Sequence, residues 1–186
     1  AMMRYALVEK DIIAEFDTYR NISIENLVGL SLCEGFSKWA IADVTAYASY
    51  RYNRYTMPDI ADGIKYAHRY NEHSIFLGGI IESKLKESIK YKLQGETAIT
   101  GDDLGAFSLE GEGTYHFNLW GKPATIAAKA FAKNNRPSFY YRHFHSGHYW
   151  WDHNDLDKEF KTRAEINIGI EKTRTRIRAG IENIKN

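Results

Sequence analysis

Residues 23–52 run SIENLVGLSLCEGFSKWAIADVTAYASYRY and read as one long helix. Ser23-Ile24-Glu25-Asn26 forms its start, with the Ser23 hydroxyl capping the free amides of the first turn. Leu27, Leu30, Phe36, Ala40 and Val44 then fall near helical spacing as candidate core positions. Gly29 and Gly35 bend or split this helix. Upstream, Leu7, Ile12, Ile13 and Phe16 predict a helix over Tyr5–Tyr19. Downstream, Thr56-Met57-Pro58-Asp59 breaks the pattern, and Pro58 fits the first turn of a new helix. A further helix is expected over His73–Leu93, where Gly78 and Gly79 allow a neighbour to approach closely.

The character changes after Gln94-Gly95. Leu104–Trp120 alternates around Gly111 and Gly113, which predicts a β-hairpin. Pro123–Lys133 is alanine-rich and reads as a short helix with Pro123 in its first turn. Asn134-Asn135-Arg136-Pro137 is a loop, and Phe139–His153 reads as a second hairpin turning at Ser146-Gly147. Ile166, Ile170, Ile177, Ile181 and Ile184 follow helical spacing and predict a long final helix over Asp155–Ile184. No internal repeat or separating linker is visible, so residues 1–186 are expected to form a single domain. The fold class expected is α+β: a helical N-terminal half, two β-hairpins forming a small antiparallel sheet, and a long C-terminal helix.

Composition narrows the function classes. The formal charge is +1, without the basic excess that phosphate neutralisation demands, which disfavours nucleic acid as the main partner. The chain holds 13 Tyr, 9 Phe and 4 Trp, a surplus that places some rings at the surface, where they suit sugars, nucleobases or a protein partner. Cys33 is the only cysteine, so no internal disulfide forms. No run of 18 apolar residues exists, so nothing is expected to span a membrane. The start, Ala1-Met2-Met3-Arg4, lacks the apolar core of a signal peptide. The expectation is a soluble chain, cytoplasmic or exported without a recognisable signal peptide.

The densest polar constellation runs from Arg142 to His153 and holds four of the seven histidines. With the turn at Ser146-Gly147, His145 faces His148, His143 faces Trp150, and Tyr141 faces Asp152. Directly opposed residues share a face, so His143, His145, His148 and Asp152 gather on one side. Imidazole moves protons near neutral pH, and a nearby carboxylate orients it. The same three imidazoles can instead hold a divalent, zinc-like ion, or the hairpin tip can bind nothing. In the acid–base scheme His145 or His148 moves protons, Asp152 orients it, and Arg142 or His116 steadies a developing negative charge. Glu110 and Glu112 share a face of the first hairpin and are read as an exposed turn. Tyr47, Tyr50, Arg51, Arg54 and Tyr55 are read as a helix packing its rings inward with its arginines snorkelling outward. Arg174, Arg176 and Arg178 are placed on different faces of the last helix, so they form no single cationic line.

Two stretches carry a family resemblance. Gly113-Thr114-Tyr115-His116-Phe117-Asn118-Leu119-Trp120-Gly121, together with Trp151-Asp152-His153-Asn154-Asp155 followed by Ile168-Gly169-Ile170, resembles the bacterial polymorphic toxin domain of type 44 over about the last seventy residues. The resemblance implies an antibacterial effector of hydrolytic type, with His116 and Asp152 as the matched polar positions. The functional expectation is an antibacterial or phage-associated effector hydrolase acting on a glycan such as peptidoglycan. The alternative is a non-enzymatic phage or mobile-element accessory protein binding a host protein or nucleic acid.

Overall fold

The computed structural model describes residues 19–33, 42–61, 64–83, 88–146, 148–170 and 173–185. Its elements in chain order are β1 (Arg20–Leu32), β2 (Asp43–Ala61), β3 (Ile64–Ser83), β4 (Ile89–Gly101), β5 (Phe107–Leu119), β6 (Lys122–Asn135), α1 (Phe139–Arg142), β7 (His143–His145), β8 (Trp150–Asp152), β9 (Glu159–Ile170) and β10 (Thr175–Lys185). Eight strands form one antiparallel sheet in the order β1-β2-β3-β4-β5-β6-β9-β10, and β7 and β8 pair separately. The α+β expectation is therefore wrong.

The segments read as helices over Ser23–Tyr52, His73–Leu93, Pro123–Lys133 and Asp155–Ile184 contain strands and the turns or links beside them, and no helix, wherever they are described. The Tyr5–Tyr19 helix falls outside the described residues, Tyr19 excepted. The reason is periodic. Residues four apart, such as Ile166 and Ile170 or Ile177 and Ile181, share a face of a strand as well as a face of a helix. Alanine's helix propensity in Pro123–Lys133 gives way to pairing on both sides, with β5 and β9. Both prolines sit where a strand tolerates them. Pro123 lies at the start of β6, and Pro58 lies past Thr56, the last residue of β2 paired to β1. The hairpin expected at Leu104–Trp120 is one unbroken strand, β5, whose true reversal is the two-residue turn Trp120-Gly121. Both turn residues have positive φ, 49° and 71°, which matches the type I′ geometry that follows strand twist.

Register fixes two chemically different faces, because side chains alternate along every strand. One face carries Ile24, Val28 and Leu30 of β1, Val44 of β2, Ile75, Leu77 and Ile81 of β3, and Leu93 of β4. It continues through Leu109 and Tyr115 of β5, Ala124, Ala128, Ala130 and Ala132 of β6, Ile166 and Ile168 of β9, and Ile177 and Ile181 of β10. The opposite face carries Glu25, Arg51, Glu96, Glu110, Glu112, Lys129, Lys133, Arg163, Glu165 and Arg178, joined by ion pairs that run between strands except for Arg163–Glu165 within β9. Arg51 bridges Glu25 at 2.8 Å and Glu96 at 2.9 Å, and its guanidinium covers Phe76, an apolar residue on this polar face, at 4.0 Å.

No second layer covers the apolar face among the described residues. The buried apolar cluster is only Phe76, Ala98 and Ala106. A domain that folds in water stacks two layers around a core, and an apolar expanse this wide marks a surface meant for a partner or a membrane. Aromatic residues flank the apolar band. Phe107 and Phe160 lie toward one end with ring centres 6.3 Å apart, and Tyr115 and Phe117 toward the other at 5.5 Å. Phe107 and Tyr115 are eight residues apart on β5. That is about 27 Å along the strand, and about 20 Å across a bilayer at a tilt of ~40°.

Candidate functional site

At the Phe107 end, β2 and β3 run on together past Gly101, where β4 stops. The segment between β6 and β9, residues 136–158, folds against this overhang. It contains α1, β7 and β8 and meets β2 and β3 on their polar face. Tyr55 stacks on Phe139 at 3.9 Å, and Tyr70 stacks on His143 at 5.5 Å. These rings share a face with Asp59 and Glu72 because the register sets Tyr55 opposite Tyr70 and Asn53 opposite Glu72.

Two polar anchors hold the insert. Arg142 is 2% exposed; its Nη2 donates to Glu72 Oε1 at 2.6 Å and its Nε to the Pro137 carbonyl at 2.9 Å. Its Nη1 has no hydrogen-bond partner among the described residues. Arg136 adds a second donor to Glu72 at 3.1 Å. The other anchor is His145, 1% exposed. Its Nε2 lies 3.0 Å from both Asp152 oxygens and its Nδ1 3.1 Å from the Pro58 carbonyl of β2. Trp150 stacks on the His145 ring at 3.6 Å, and the Tyr19 hydroxyl donates to the His145 carbonyl at 2.6 Å.

Asp152 also meets His143 Nδ1 at 2.7 Å. Burial works against its charge, but hydrogen bonds from the two imidazoles prevail and hold its carboxyl below the ordinary aspartate range. With both ring nitrogens occupied and almost no exposure, His145 has no free edge for a solute. Its geometry fastens the insert to β2.

Of the hairpin expected over Phe139–His153, only His143–Asp152 forms, with a shifted register, and Phe139–Arg142 is the helix α1. His143 faces Asp152 and His145 faces Trp150. Gly147 lies outside the described residues, and the reversal spans Ser146 to Tyr149, closed by Ser146 N–H to the Tyr149 carbonyl at 2.8 Å. The shift is two residues, so His143, His145, Trp150 and Asp152 keep their common face. His148 leaves it and stands exposed in the turn. His116 is remote, on the polar face of β5 near the Trp120-Gly121 turn, bonded to Thr125 Oγ1 at 2.9 Å. Among the described residues, no three His, Cys, Asp or Glu side chains form a group able to hold a metal ion. Glu72 and Tyr70 escaped the sequence reading, and Tyr55, Pro58 and Asp59 entered it only as positions of expected helices and a break between them. They lie far from the insert along the chain, and only alternation within β2 and β3 could have placed them on its side.

No described helix is long and apolar enough to cross a membrane, which fits the expectation of no membrane span as far as helices go and says nothing of β-strands. No curated protein and no solved structure matches the chain. A family model does: Porin_10, described as "Putative porin", matches residues 8–186. This match, with the all-β sheet, overturns the resemblance to the type 44 toxin domain. The hydrolase effector falls with it, and the phage accessory protein gains no support. Nearly the whole chain lies within that one match, and the chain belongs to the Porin_10 family.

Proposed function

We propose that the eight-stranded sheet is wall of an outer-membrane β-barrel, with its apolar face toward lipid and its polar face toward a water-filled passage for solutes. The observation that carries this reading is the separation of faces across eight consecutive sheet neighbours, with aromatic residues at both margins of the apolar band. Family membership supports it. In hydrocarbon every backbone polar group must find a partner, and a closed barrel is the strand solution to that demand. Residues 136–158, resting on the polar face of β2 and β3, narrow the passage at the Phe107 end.

The test is reconstitution of the refolded chain into planar phospholipid bilayers. Stepwise conductance is the expected outcome, and deletion of residues 139–153 should enlarge the step. A chain that neither inserts nor conducts, while staying folded and dispersed without detergent, would overturn the reading.

A further inference from the structure

Arg176 and Arg178 were assigned to opposite sides of a helix, but on β10 they share the polar face, opposite Gly169 and Asn167. Following the pairing inward gives two adjacent cross-strand rows. One is Arg176, Gly169, Thr125 and His116; the next is Arg178, Asn167, Ala127, Thr114 and Lys90. Small residues make the floor and donors rise from it. A side chain at Gly169 would meet open space. The result is an open trough of about 860 Å³ near the Trp120-Gly121 end, lined by Thr125, Asn167, Arg174, Arg176 and Arg178 among others.

Charge accounting gives the trough its sign. Glu165, the carboxylate that lines it, already receives Arg178 at 2.6 Å, Asn167 at 2.9 Å and Arg163 at 3.0 Å. Glu112 is engaged by Lys129 at 3.5 Å. Among the described residues, Arg174 and Arg176 of the trough, and Lys90 at the end of the second row, have no ion-pair partner. Glu165 and Glu112 are therefore compensated and three cations remain. Guanidinium forks beside hydroxyl and amide donors match the oxygens of phosphate or carboxylate groups.

The geometry points to an oxyanion-binding station on the polar face at the Arg176 end, taking phosphate- or carboxylate-bearing solutes. This rests on the pore reading and names the solute class of that passage. Reconstituted channels carrying a chloride current, titrated with inorganic phosphate, test it. Phosphate should block wild-type current. The Arg176→Gln/Lys90→Gln variant should need about tenfold more phosphate to reach the same fractional block. Lys161→Gln removes a cation from the same face at the far end of β9, where it pairs with Glu159 at 3.1 Å, and should behave as wild type. Wild-type channels without block, a double variant blocked as strongly as wild type, or equal loss in Lys161→Gln would each overturn the station while leaving the pore intact. Absence of any conductance overturns the pore reading. Calorimetric titration of the micelle-bound chain with phosphate then decides the station, which stands if binding is lost in the double variant and falls if wild type binds none.

Discussion

Leu93 and Gln94 are neighbours in sequence and face opposite sides of the wall. Leu93 pairs with Ile81 and Gly111, and Gly111 stands midway between Phe107 and Tyr115, so Leu93 sits at the centre of the apolar band. Arginine at the midplane of a lipid-facing strand costs about 2–4 kcal/mol. Leu93 presents 48% of its surface outward, and losing its transfer to lipid adds about 1 kcal/mol. Leu93→Arg should therefore destabilise the chain in a bilayer by about 3–5 kcal/mol. Gln94→Arg places the same charge on the polar face opposite Glu110 and should change stability by no more than about 0.5 kcal/mol. Guanidinium unfolding in phospholipid vesicles, followed by tryptophan emission, measures both variants. If the two lie within about 0.5 kcal/mol of each other, Leu93 does not face lipid and the assignment of faces fails.

Glu72→Ala leaves Arg142 buried without its carboxylate, which should cost about 3–5 kcal/mol of insert docking and expose residues 136–158 to protease; unchanged proteolysis would refute the anchor. The folded Asp152 carboxyl lies below its ordinary value of 3.8, so its contribution is fully present above that value and is lost as pH falls through the lower folded one. Trp150 and Trp151 emission should report release of the insert in that acid window, and Asp152→Asn should remove the transition; a transition unchanged in that variant would place the titration elsewhere. Gly101 has φ +93°, and a side chain there would run into the His73 carbonyl and Ser74. Gly101→Ala should cost at least about 1–2 kcal/mol and speed amide exchange at the β3–β4 irregularity near Ile75, and equal exchange rates would contradict this.

The sequence was most legible where the alternation is unbroken. Phe107–Leu119 reads apolar and polar by turns, and that segment was recognised as β structure, although Gly111 and Gly113 were mistaken for its turn. The first half was misread because its apolar residues mix both faces. Leu27 lies on the polar face of β1 while Leu30 lies on the apolar face. Their spacing of three imitates a helix. In β9 and β10 a spacing of four satisfies either period, and nothing local separates them. A sheet that buries little against itself also removes the usual guide that apolar residues belong inside. The cluster of His143, His145 and Asp152 was legible because a short hairpin keeps its partners close and the register error was an even number. Its anchors on β2 and β3 were not legible, since only the packing of the insert brings them near.

Alternation makes each strand a reading frame of two letters. Deleting one residue near Leu109 would carry Glu110 and Glu112 across to the oily side for the rest of β5 and bring their leucine and aromatic neighbours into the water. Deleting two would shorten the strand and preserve the frame. Length changes within these strands should therefore survive in even numbers during evolution, while turns accept any number. The irregularity opposite Ile75 and Phe76 is where the wall already absorbs an odd residue, Ile99 of β4, just before that strand ends at Gly101.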